Sequence, residues 1–246
     1  MFDKLVAQDR LKYQATYGEI IEVNGFKFEF RLCPDLGHKT ILPRNTPERR
    51  GQGSLFIDPD PDFIVVAVGD IHVLELNMNT VYRPAFVLHT RLFIRQIDDL
   101  DLCAAGSRWY PKQSSLRQHT SVNVHVGITT NILGVPFKHF VTRLPQNAEA
   151  TEIQDIYDQL LRAMRAEQDL VTDGGAYNFM FSGNWLAVIP RRHGRNGKAG
   201  VNSAGILGVV WVASKEKRAA WDEFGPVNHL QYVGIPNTNT ILMESQ

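Results

Sequence analysis

Hydrophobic and polar residues alternate on both sides of Asn24-Gly25, from Ile20 to Leu32. A period of two places successive side chains on opposite faces of a β-strand, and Asn-Gly is the strongest short-range signal for a tight hairpin turn. The pattern therefore predicts a β-hairpin. Three further apolar runs, separated by turn residues, predict an antiparallel meander; they cover residues 64–68, 72–77 and 85–90.

The C-terminal half of the chain shows the 3.6-residue period of amphipathic helices. Thr151 and Gln154 have the spacing of a capping box, and the apolar stripe that follows them predicts the clearest helix in the chain. Ser214 predicts the start of a last helix, which ends at Gly225-Pro226. The stripe of the clearest helix consists of Ile153, Ile156, Tyr157, Leu160, Leu161 and Met164.

Weaker patterns predict the remaining elements. We expect a short N-terminal helix within residues 1–18 and a surface loop over residues 40–62, which are rich in Pro, Arg, Gly and Asp. Antiparallel strands covered by a few helices indicate the α+β class, and we expect residues 1–246 to form a single domain. The other predicted elements are a helix over 92–105 and strands over 136–141, 177–190 and 206–213, with Trp185, Ala187 and Ile189 on one strand face.

Composition narrows the classes of partner. The 246 residues are 43% apolar and 21% charged, which is typical of a globular protein. Because 26 Lys and Arg residues balance 26 Asp and Glu residues, the chain has no broad field that would attract nucleic acid or an anionic membrane. We therefore expect a small-molecule partner, with no nucleic acid and no membrane. No signal-peptide pattern precedes residue 19 and no apolar run has the length of a membrane helix, so we expect a cytoplasmic location.

The cysteines and histidines do not have the spacing of a structural metal site. Cys33 and Cys103 lie far apart and form no CxxC pair, which favours buried thiols over a disulfide framework. The histidines occur singly, without a second or third ligand at a short fixed interval. We expect His89, His139 and His229 to be hydrogen-bonded structural residues, and we predict no metal site.

His125 is the principal candidate for chemistry. It lies in a run in which valines occupy every second position, so its imidazole and the Asn123 amide are predicted to project from the polar face of a strand. An imidazole can attack phosphorus and hold a nucleotidyl group, provided that nearby donors neutralise the phosphoryl oxygens. Thr120 and Ser121 would supply such donors. The alternative is a half-exposed strand histidine without chemistry.

Two other groups of polar residues are candidates for ligand binding. Residues 107–119 are polar and basic and lead into the His125 strand, so Arg117 and His119 are predicted to bring positive charge near its polar face. Asn202 and Ser203 precede a buried strand, where small polar residues let a ligand approach the backbone closely. A plain tight turn is the alternative for this second group.

A basic cluster follows the predicted strand that ends at Pro190. One interpretation is a guanidinium clamp for phosphate or carboxylate, and the other is a solvated loop that charge keeps soluble. The cluster consists of Arg191, Arg192, His193 and Lys198.

Six segments occur in an order that resembles one known family: FEFR through Lys39, SLFIDPDPD at 54–62, HVLELN at 72–77, residues 133–145, AYN through Pro190-Arg191, and VNSAG at 201–205. They are similar to the ATP adenylyltransferases, also called diadenosine tetraphosphate phosphorylases, of the histidine-triad superfamily, to which the galactose-1-phosphate uridylyltransferases also belong. The resemblance runs from about residue 20 to residue 236. It implies a histidine-triad-like antiparallel sheet with flanking helices, in which residues 147–246 are the C-terminal adenylyltransferase-like part. It also implies transfer of a nucleotidyl group through a covalent histidine intermediate, and it leaves open a requirement for Mg²⁺ as cofactor.

The family's His-x-His-x-Gln motif falls on residues 123–127. His125 occupies the place of the nucleophile, Asn123 replaces the first histidine, and Gly127 replaces a glutamine that touches phosphate in the family. The resemblance therefore implies that His125 and Asn123 are the catalytic residues.

Other positions also depart from the family pattern. Met78 and Ala213 stand where the family has lysines, Ala85 stands where it has a histidine, and residues 117–120 replace a Gly-Ala-Ser-Gln stretch. Each lost charge-assisted hydrogen bond would weaken phosphate binding by roughly 1.5 to 3 kcal/mol. Arg117, His119 or Arg191 would have to compensate. The residues that match the family and are implied to bind substrate are Lys39, Asn77, Asn202 and Ser203.

Three functional hypotheses follow. The first is a diverged nucleotidyltransferase or phosphorylase that uses His125 as nucleophile on a nucleoside polyphosphate or a related nucleotide. The second is a family fold recruited for a non-nucleotide organic substrate, such as that of a biosynthetic enzyme, with His125 as general acid or base or as hydrogen-bond donor. The third is a non-catalytic ligand-binding or regulatory protein.

Overall fold

A computed structural model of the chain describes residues 1–34, 36, 59–92, 127–130, 132–167, 176–182, 184–197 and 199–237. Its helices are α1 (Phe2–Ala7), α2 (Ala150–Ala166), α3 (Lys215–Phe224) and α4 (Pro226–Val233), with a 3₁₀ turn at Gly205–Leu207. Its strands are β1 (Gly18–Val23), β2 (Phe26–Leu32), β3 (Ile64–Val68), β4 (His72–Leu76), β5 (Phe86–Thr90), β6 (Phe140–Arg143), β7 (Tyr177–Ser182), β8 (Trp185–Pro190), β9 (Arg195–Asn196), β10 (Ala199–Gly200) and β11 (Val209–Val212).

The predicted hairpin is confirmed. Strands β1 and β2 pair antiparallel, with Val23 opposite Phe26, and Asn24-Gly25 forms the two-residue turn between them. Both turn residues have positive φ, 52° for Asn24 and 75° for Gly25, as a type I′ turn requires. The predicted meander is confirmed as well, because β3, β4 and β5 pair antiparallel in that order.

Strand β2 also pairs with β11, and this pair is parallel. The first sheet therefore has the order β1-β2-β11, whereas the described strand pairs of the other sheets are antiparallel. The prediction of one strand over 206–213 was wrong at its start, because residues 205–207 form a 3₁₀ turn instead. Gly208 ends this turn with φ 87°, and a Cβ atom there would lie 2.3 Å from the Lys27 carbonyl oxygen.

A third sheet, of order β6-β8-β7, lies between two hydrophobic cores. The side chains of Trp185, Ala187 and Ile189 face the core that β2 and β11 share, as predicted. Leu186 and Val188 face the opposite way and pack on α2, so β8 is buried on both faces.

The prediction of a single strand over 177–190 was incomplete, since a turn before Trp185 folds it into the β7-β8 hairpin. The strand predicted over 136–141 was placed too early and is β6, Phe140–Arg143.

For the helices, the sequence pattern predicted the buried apolar faces better than the residues at which the helices begin and end. Tyr157, Leu160, Leu161 and Met164 of α2 are buried as predicted, but the capping box is wrong. Helix α2 begins at Ala150, before Thr151, and no side chain caps it; Gln154 instead donates a hydrogen bond to Asp158, at 3.0 Å.

The predicted cap of α3 is confirmed, since Ser214 Oγ accepts from the Lys217 backbone N–H at 3.3 Å. Helix α3 is not the last helix, because Gly225 turns the chain directly into α4. The N-terminal helix α1 ends at Ala7, and the chain then leaves helical geometry and pairs at Lys12 with Asn79.

Several predicted elements lie outside the described residues. These are the helix over 92–105 beyond Leu92, the loop over 40–62 before Pro59, and the His125 strand before Gly127. The α+β class is confirmed by the described elements. In the described part of the chain, no helix combines the length and apolarity that crossing a membrane requires.

Gly208→Ala should destabilise the fold more than Gly25→Ala does. Both positions have positive φ, which costs roughly 1 to 2 kcal/mol for a residue with a side chain. Only at Gly208 would the new Cβ also meet a backbone atom, whereas nothing lies within 4 Å at Gly25. Urea unfolding of the two variants checks this difference. Equal losses would mean that the close approach of β2 and the Gly208 turn is not a constraint.

The buried His139 should make the folded state sensitive to acid. Burial lowers the pKa of His139 below the ordinary value of 6.5, so the folded protein favours the neutral ring. Its stabilising contribution is therefore complete above about pH 6.5 and is lost as the pH falls from there toward the lowered pKa. We expect the free energy of unfolding to decrease between pH 7 and pH 5, with His139 contributing at most about 1.4 kcal/mol per pH unit. His139→Gln should flatten this dependence, and an unchanged slope would contradict the assignment.

Candidate functional site

The structure describes three of the ten predicted site residues, Asn77, Asn202 and Ser203. The placement of the others stays a prediction. These are Lys39, Arg117, His119, Thr120, Ser121, Asn123 and His125, all of which lie outside the described residues. For two of them, His125 and Lys39, a described residue nearby in the sequence limits how far the Cα atom can lie from the fold.

The chain that follows His125 joins the edge of the third sheet. Gly127 has φ 121°, a backbone conformation that few residues other than glycine adopt. Two residues later, Thr129 and Val141 exchange two backbone hydrogen bonds of 2.7 and 3.0 Å, beside β6. Because each residue spans at most about 3.6 Å, the Cα atom of His125 lies within about 7 Å of that of Gly127.

His139 holds the next part of this segment. Its Nε2 atom accepts a hydrogen bond from the Ile132 backbone N–H at 3.0 Å, so Nδ1 carries the proton and donates to the Phe137 carbonyl oxygen at 2.8 Å. The side chain is 2% exposed, and desolvation lowers its pKa despite the hydrogen bond to Phe137. The expectation that His139 is a hydrogen-bonded structural histidine is thus confirmed.

Asn77 lies in a sharp bend directly after β4. Its backbone N–H donates to the Ala85 carbonyl at 2.9 Å, and its side-chain Oδ1 accepts from the Asn79 N–H at 3.1 Å. No hydrogen bond of the Asn77 Nδ2 donors to another described residue is found. Met78, where the family resemblance predicts a lysine, is 40% exposed and adds an apolar surface beside them.

The bend at Asn77 lies near the carboxyl end of β2. The strands β2 and β11 are parallel, so they end at the same sheet edge, where the Cys33 N–H donates to the Val212 carbonyl at 2.7 Å. A shallow recess at this edge has Cys33 and Leu36 on one side and Asn79 and Thr80 on the other. Lys39 follows Leu36 by three residues, so its Cα atom lies within about 11 Å of Leu36. This sheet edge therefore brings Leu36, which precedes Lys39 by three residues, close to Asn79 in the Asn77 bend.

Asn202 and Ser203 lie at the opposite end of β11, before its first residue. Asn202 Oδ1 accepts from the Gly205 N–H at 2.7 Å, and Ser203 Oγ donates to Asn178 Oδ1 at 3.2 Å. Both side chains thus shape the turn that leads into the strand. No described contact joins them to the Asn77 bend.

The basic cluster after β8 is not a free clamp at Arg191, although Arg192 and His193 are exposed to solvent as the solvated-loop interpretation predicts. The Arg191 guanidinium donates to the carbonyls of His193 and Gly194 at 3.0 and 3.3 Å, and also to the Val201 carbonyl and to Asn178 Oδ1. Burial lowers the pKa of Arg191. The sequence pattern missed this role because backbone carbonyls leave no trace in residue identity.

Arg192 and His193 are held in a similar way. Arg192 Nε donates to the Gly234 carbonyl at 3.0 Å, just beyond the end of α4, and the ring of His193 stacks on Tyr232 with 4.5 Å between centroids. A cation near the last carbonyls of a helix stabilises it. Arg191 and Arg192 are therefore part of the framework, and Lys198 lies outside the described residues.

The meander contains a buried ionisable pair that sequence reasoning missed. His89 Nε2 lies 3.6 Å from Glu75 Oε2 on neighbouring strands, and desolvation raises the pKa of Glu75 although His89 opposes this. Only the register of β4 and β5, which sequence spacing does not reveal, brings the two together. Among the described residues, no three His, Cys, Asp or Glu side chains converge as metal ligands.

Part of the chain is similar in sequence to known proteins. Residues 133–236 match the family model of the ATP adenylyltransferase C-terminal domain. Diadenosine 5',5'''-P1,P4-tetraphosphate phosphorylase 2 of Saccharomyces cerevisiae is 30% identical over 118 residues, which are 42% of this chain and 36% of that protein. The aligned region thus spans about a third of the length of this relative.

Solved structures extend the likeness to nearly the whole chain. The crystal structure of yeast Ap4A phosphorylase Apa2 with AMP superposes with a TM-score of 0.68 and 22% identity, covering 96% of this chain and 95% of that one. The complex of the same protein with Ap4A gives a TM-score of 0.69 and 19% identity, with 96% of each chain covered. The overall fold is therefore shared with this phosphorylase. Over residues 133–236 the chain is therefore similar to the C-terminal domain of the ATP adenylyltransferases.

Proposed function

We propose that this protein is a nucleotide-processing enzyme that transfers a nucleotidyl group through a covalent intermediate on His125. The observation that carries the proposal is the match of residues 133–236 to the ATP adenylyltransferase C-terminal domain, together with a fold shared over 96% of the chain with a phosphorylase solved with AMP and with Ap4A. The substrate class is a nucleoside polyphosphate or a related nucleotide.

The proposed reaction has two displacements. In the first, a ring nitrogen of His125 attacks the phosphorus of the nucleotidyl group, an N–P bond forms, and the P–O bond to the leaving phosphate chain breaks. In the second, an oxygen of inorganic phosphate or of a phosphorylated acceptor attacks the same phosphorus and the N–P bond breaks, which restores the imidazole. Splitting one difficult displacement into two lowers each barrier.

The other site residues have binding roles in this proposal. Asn123, Thr120 and Ser121 would donate to the phosphoryl oxygens on which charge develops. Lys39 and Asn77 would hold base, ribose or phosphate from the shared edge of β2 and β11. Asn202 and Ser203 would act on the pocket through the turn that they shape.

The departures from the family predict weak binding of the polyphosphate. Replacement of two lysines by Met78 and Ala213 removes two cations, each worth roughly 1.5 to 3 kcal/mol in a charge-assisted hydrogen bond. Arg191 does not compensate, because its donors are engaged by carbonyl groups and Asn178. Arg117 and His119 are the cationic candidates that stay available for this role.

The exposed Met78 side chain favours a second candidate function. An apolar Met78 that is 40% exposed beside the Asn77 donors, with the small Ala85 bonded to the same bend, would suit an organic substrate with few phosphates. His125 would then act as a general acid or base, or as a hydrogen-bond donor.

A covalent adduct on His125 tests the leading proposal. Wild-type protein mixed with Ap4A without acceptor, quenched at alkaline pH and measured by intact mass should gain one adenylyl group, because the phosphoramidate is labile to acid. His125→Asn should gain none, while His139→Gln serves as a control with a different histidine removed. An unmodified wild-type mass across a panel of nucleoside polyphosphates and nucleotide sugars would exclude His125 as a nucleophile.

Restoring the lysine at position 78 separates the two candidate functions. If phosphates bind beside Asn77, Met78→Lys should lower the Kd for ADP or ATP by about tenfold, the equivalent of roughly 1.4 kcal/mol. The measurement is calorimetric titration of wild type, of Met78→Lys and of the uncharged control Met78→Gln. No gain for the lysine variant, combined with no thermal stabilisation of the wild type by ATP, ADP or phosphate, favours the organic substrate.

A further inference from the structure

The chain that leaves the His125 segment is fixed at two points. Thr129 and Val141 are joined by two backbone hydrogen bonds, which residues of almost any type can form. Three residues later the Ile132 N–H donates to a side chain, at 3.0 Å from His139 Nε2. The second attachment therefore depends on one side chain.

His139 makes this attachment in one protonation state. Its Nδ1–H donates to the Phe137 carbonyl at 2.8 Å, which leaves the lone pair of Nε2 to accept from Ile132. At 2% exposure, water does not replace either hydrogen bond. The imidazole thus acts as a spacer of fixed length between two backbone segments.

The backbone that carries the spacer is itself held firmly. The Lys138 N–H donates to the Ile235 carbonyl at 2.7 Å, and the Asn237 N–H donates to the Pro136 carbonyl at 3.1 Å. On the other side of His139, β6 begins at Phe140 and pairs with β8 along its whole length. The His139 ring is therefore mounted on the rigid third sheet, whereas the segment it holds connects directly to the candidate nucleophile.

We propose that His139 is a positioning residue, which sets the location of His125 by holding the backbone at Ile132. This inference rests on the proposed function, in which His125 is the nucleophile. Only four residues lie between Gly127 and Ile132, and Gly127 follows His125 by two residues, so a shift at Ile132 is transmitted over a short length of chain. Displacement of a nucleophile by about 1 Å reduces the rate of the chemical step by about a hundredfold.

Two substitutions remove one hydrogen bond each. In His139→Gln, the longer side chain places an amide oxygen where Nε2 lies, so it still accepts from Ile132 and loses the donor to Phe137. In His139→Asn, the shorter side chain keeps a donor near Phe137 and loses the acceptor for Ile132. Both variants lose stability, so stability alone does not distinguish a positioning role from a structural one.

Comparing the change in kcat with the change in KM distinguishes a positioning role from a structural one. With Ap4A and phosphate, we expect His139→Asn to lower kcat by about 10- to 100-fold while KM changes less than about threefold, because positioning acts on the chemical step. His139→Gln should stay within about threefold of wild type in both constants. Equal kcat values for the two variants would overturn the proposal.

His229→Gln is the matched control. His229 is fully buried, packs against Trp221 at 4.2 Å between ring centroids, lies on α4, and has no described hydrogen bond to Ile132. It should lose stability without a selective loss of kcat. A kcat loss like that of His139→Asn would show that destabilising the core anywhere lowers kcat, and would refute a specific role for His139.

Hydrogen exchange separates this inference from the proposed function. Peptides that cover Gly127 to Ile132 should exchange faster in His139→Asn than in His139→Gln at equal distance from the melting temperature. This result is expected even if the wild type forms no adduct with any nucleotide, in which case the nucleotidyl-transfer proposal fails and the anchor itself stands. Identical exchange in the two variants contradicts the anchor whatever the activity.

Discussion

The parallel pairing of β2 with β11 is the constraint on which the rest of the structure depends. It joins a strand near the N-terminus to one near the C-terminus, from Val209 opposite Glu29 to Val212 opposite Leu32. Because parallel strands end at the same edge of a sheet, the segments that follow them emerge side by side. Gly208 is required for this pairing, since its turn approaches the Lys27 carbonyl too closely for a side chain.

The shared edge of β2 and β11 organises the candidate site. The recess there connects Cys33 and Leu36, which precede Lys39 in sequence, with Asn79 and Thr80, which follow Asn77. The third sheet supplies the other attachment, through the Thr129 bridge beside β6 and through His139. The basic residues Arg191 and Arg192 after β8 strengthen the fold by donating hydrogen bonds to carbonyl groups.

The sequence predicted the local structure better than the contacts between distant residues. Asn24-Gly25 specifies its turn because these two residue types adopt the backbone conformation that the turn requires. The 3.6-residue spacing of apolar residues specifies the buried face of α2. Both signals lie in residues that are close in the sequence. The starts of α2 and β6 were misplaced. Helix α2 begins before Thr151 without a side-chain cap, and the residues before Phe140 bond to the backbone of Ile235 and Asn237, which a local pattern does not contain.

The same reason limited the prediction of the site. Arg191 has the sequence of an anion clamp, and only the fold shows that carbonyl groups surround it. His139 was predicted to be a structural histidine, and its contact with Ile132 depends on a turn between them that residue types do not encode. The order of motifs along the chain was more informative about the family than any one of these residues, since the fold that it implies matches the solved phosphorylase.

A crystal structure of the protein with bound AMP tests the central claim most directly. The account predicts the phosphate of AMP within hydrogen-bonding distance of the His125 ring, with Asn77 contacting the nucleotide at the shared edge of β2 and β11. Nucleotide bound elsewhere, or a His125 ring packed among apolar side chains with no cavity beside it, would contradict the account.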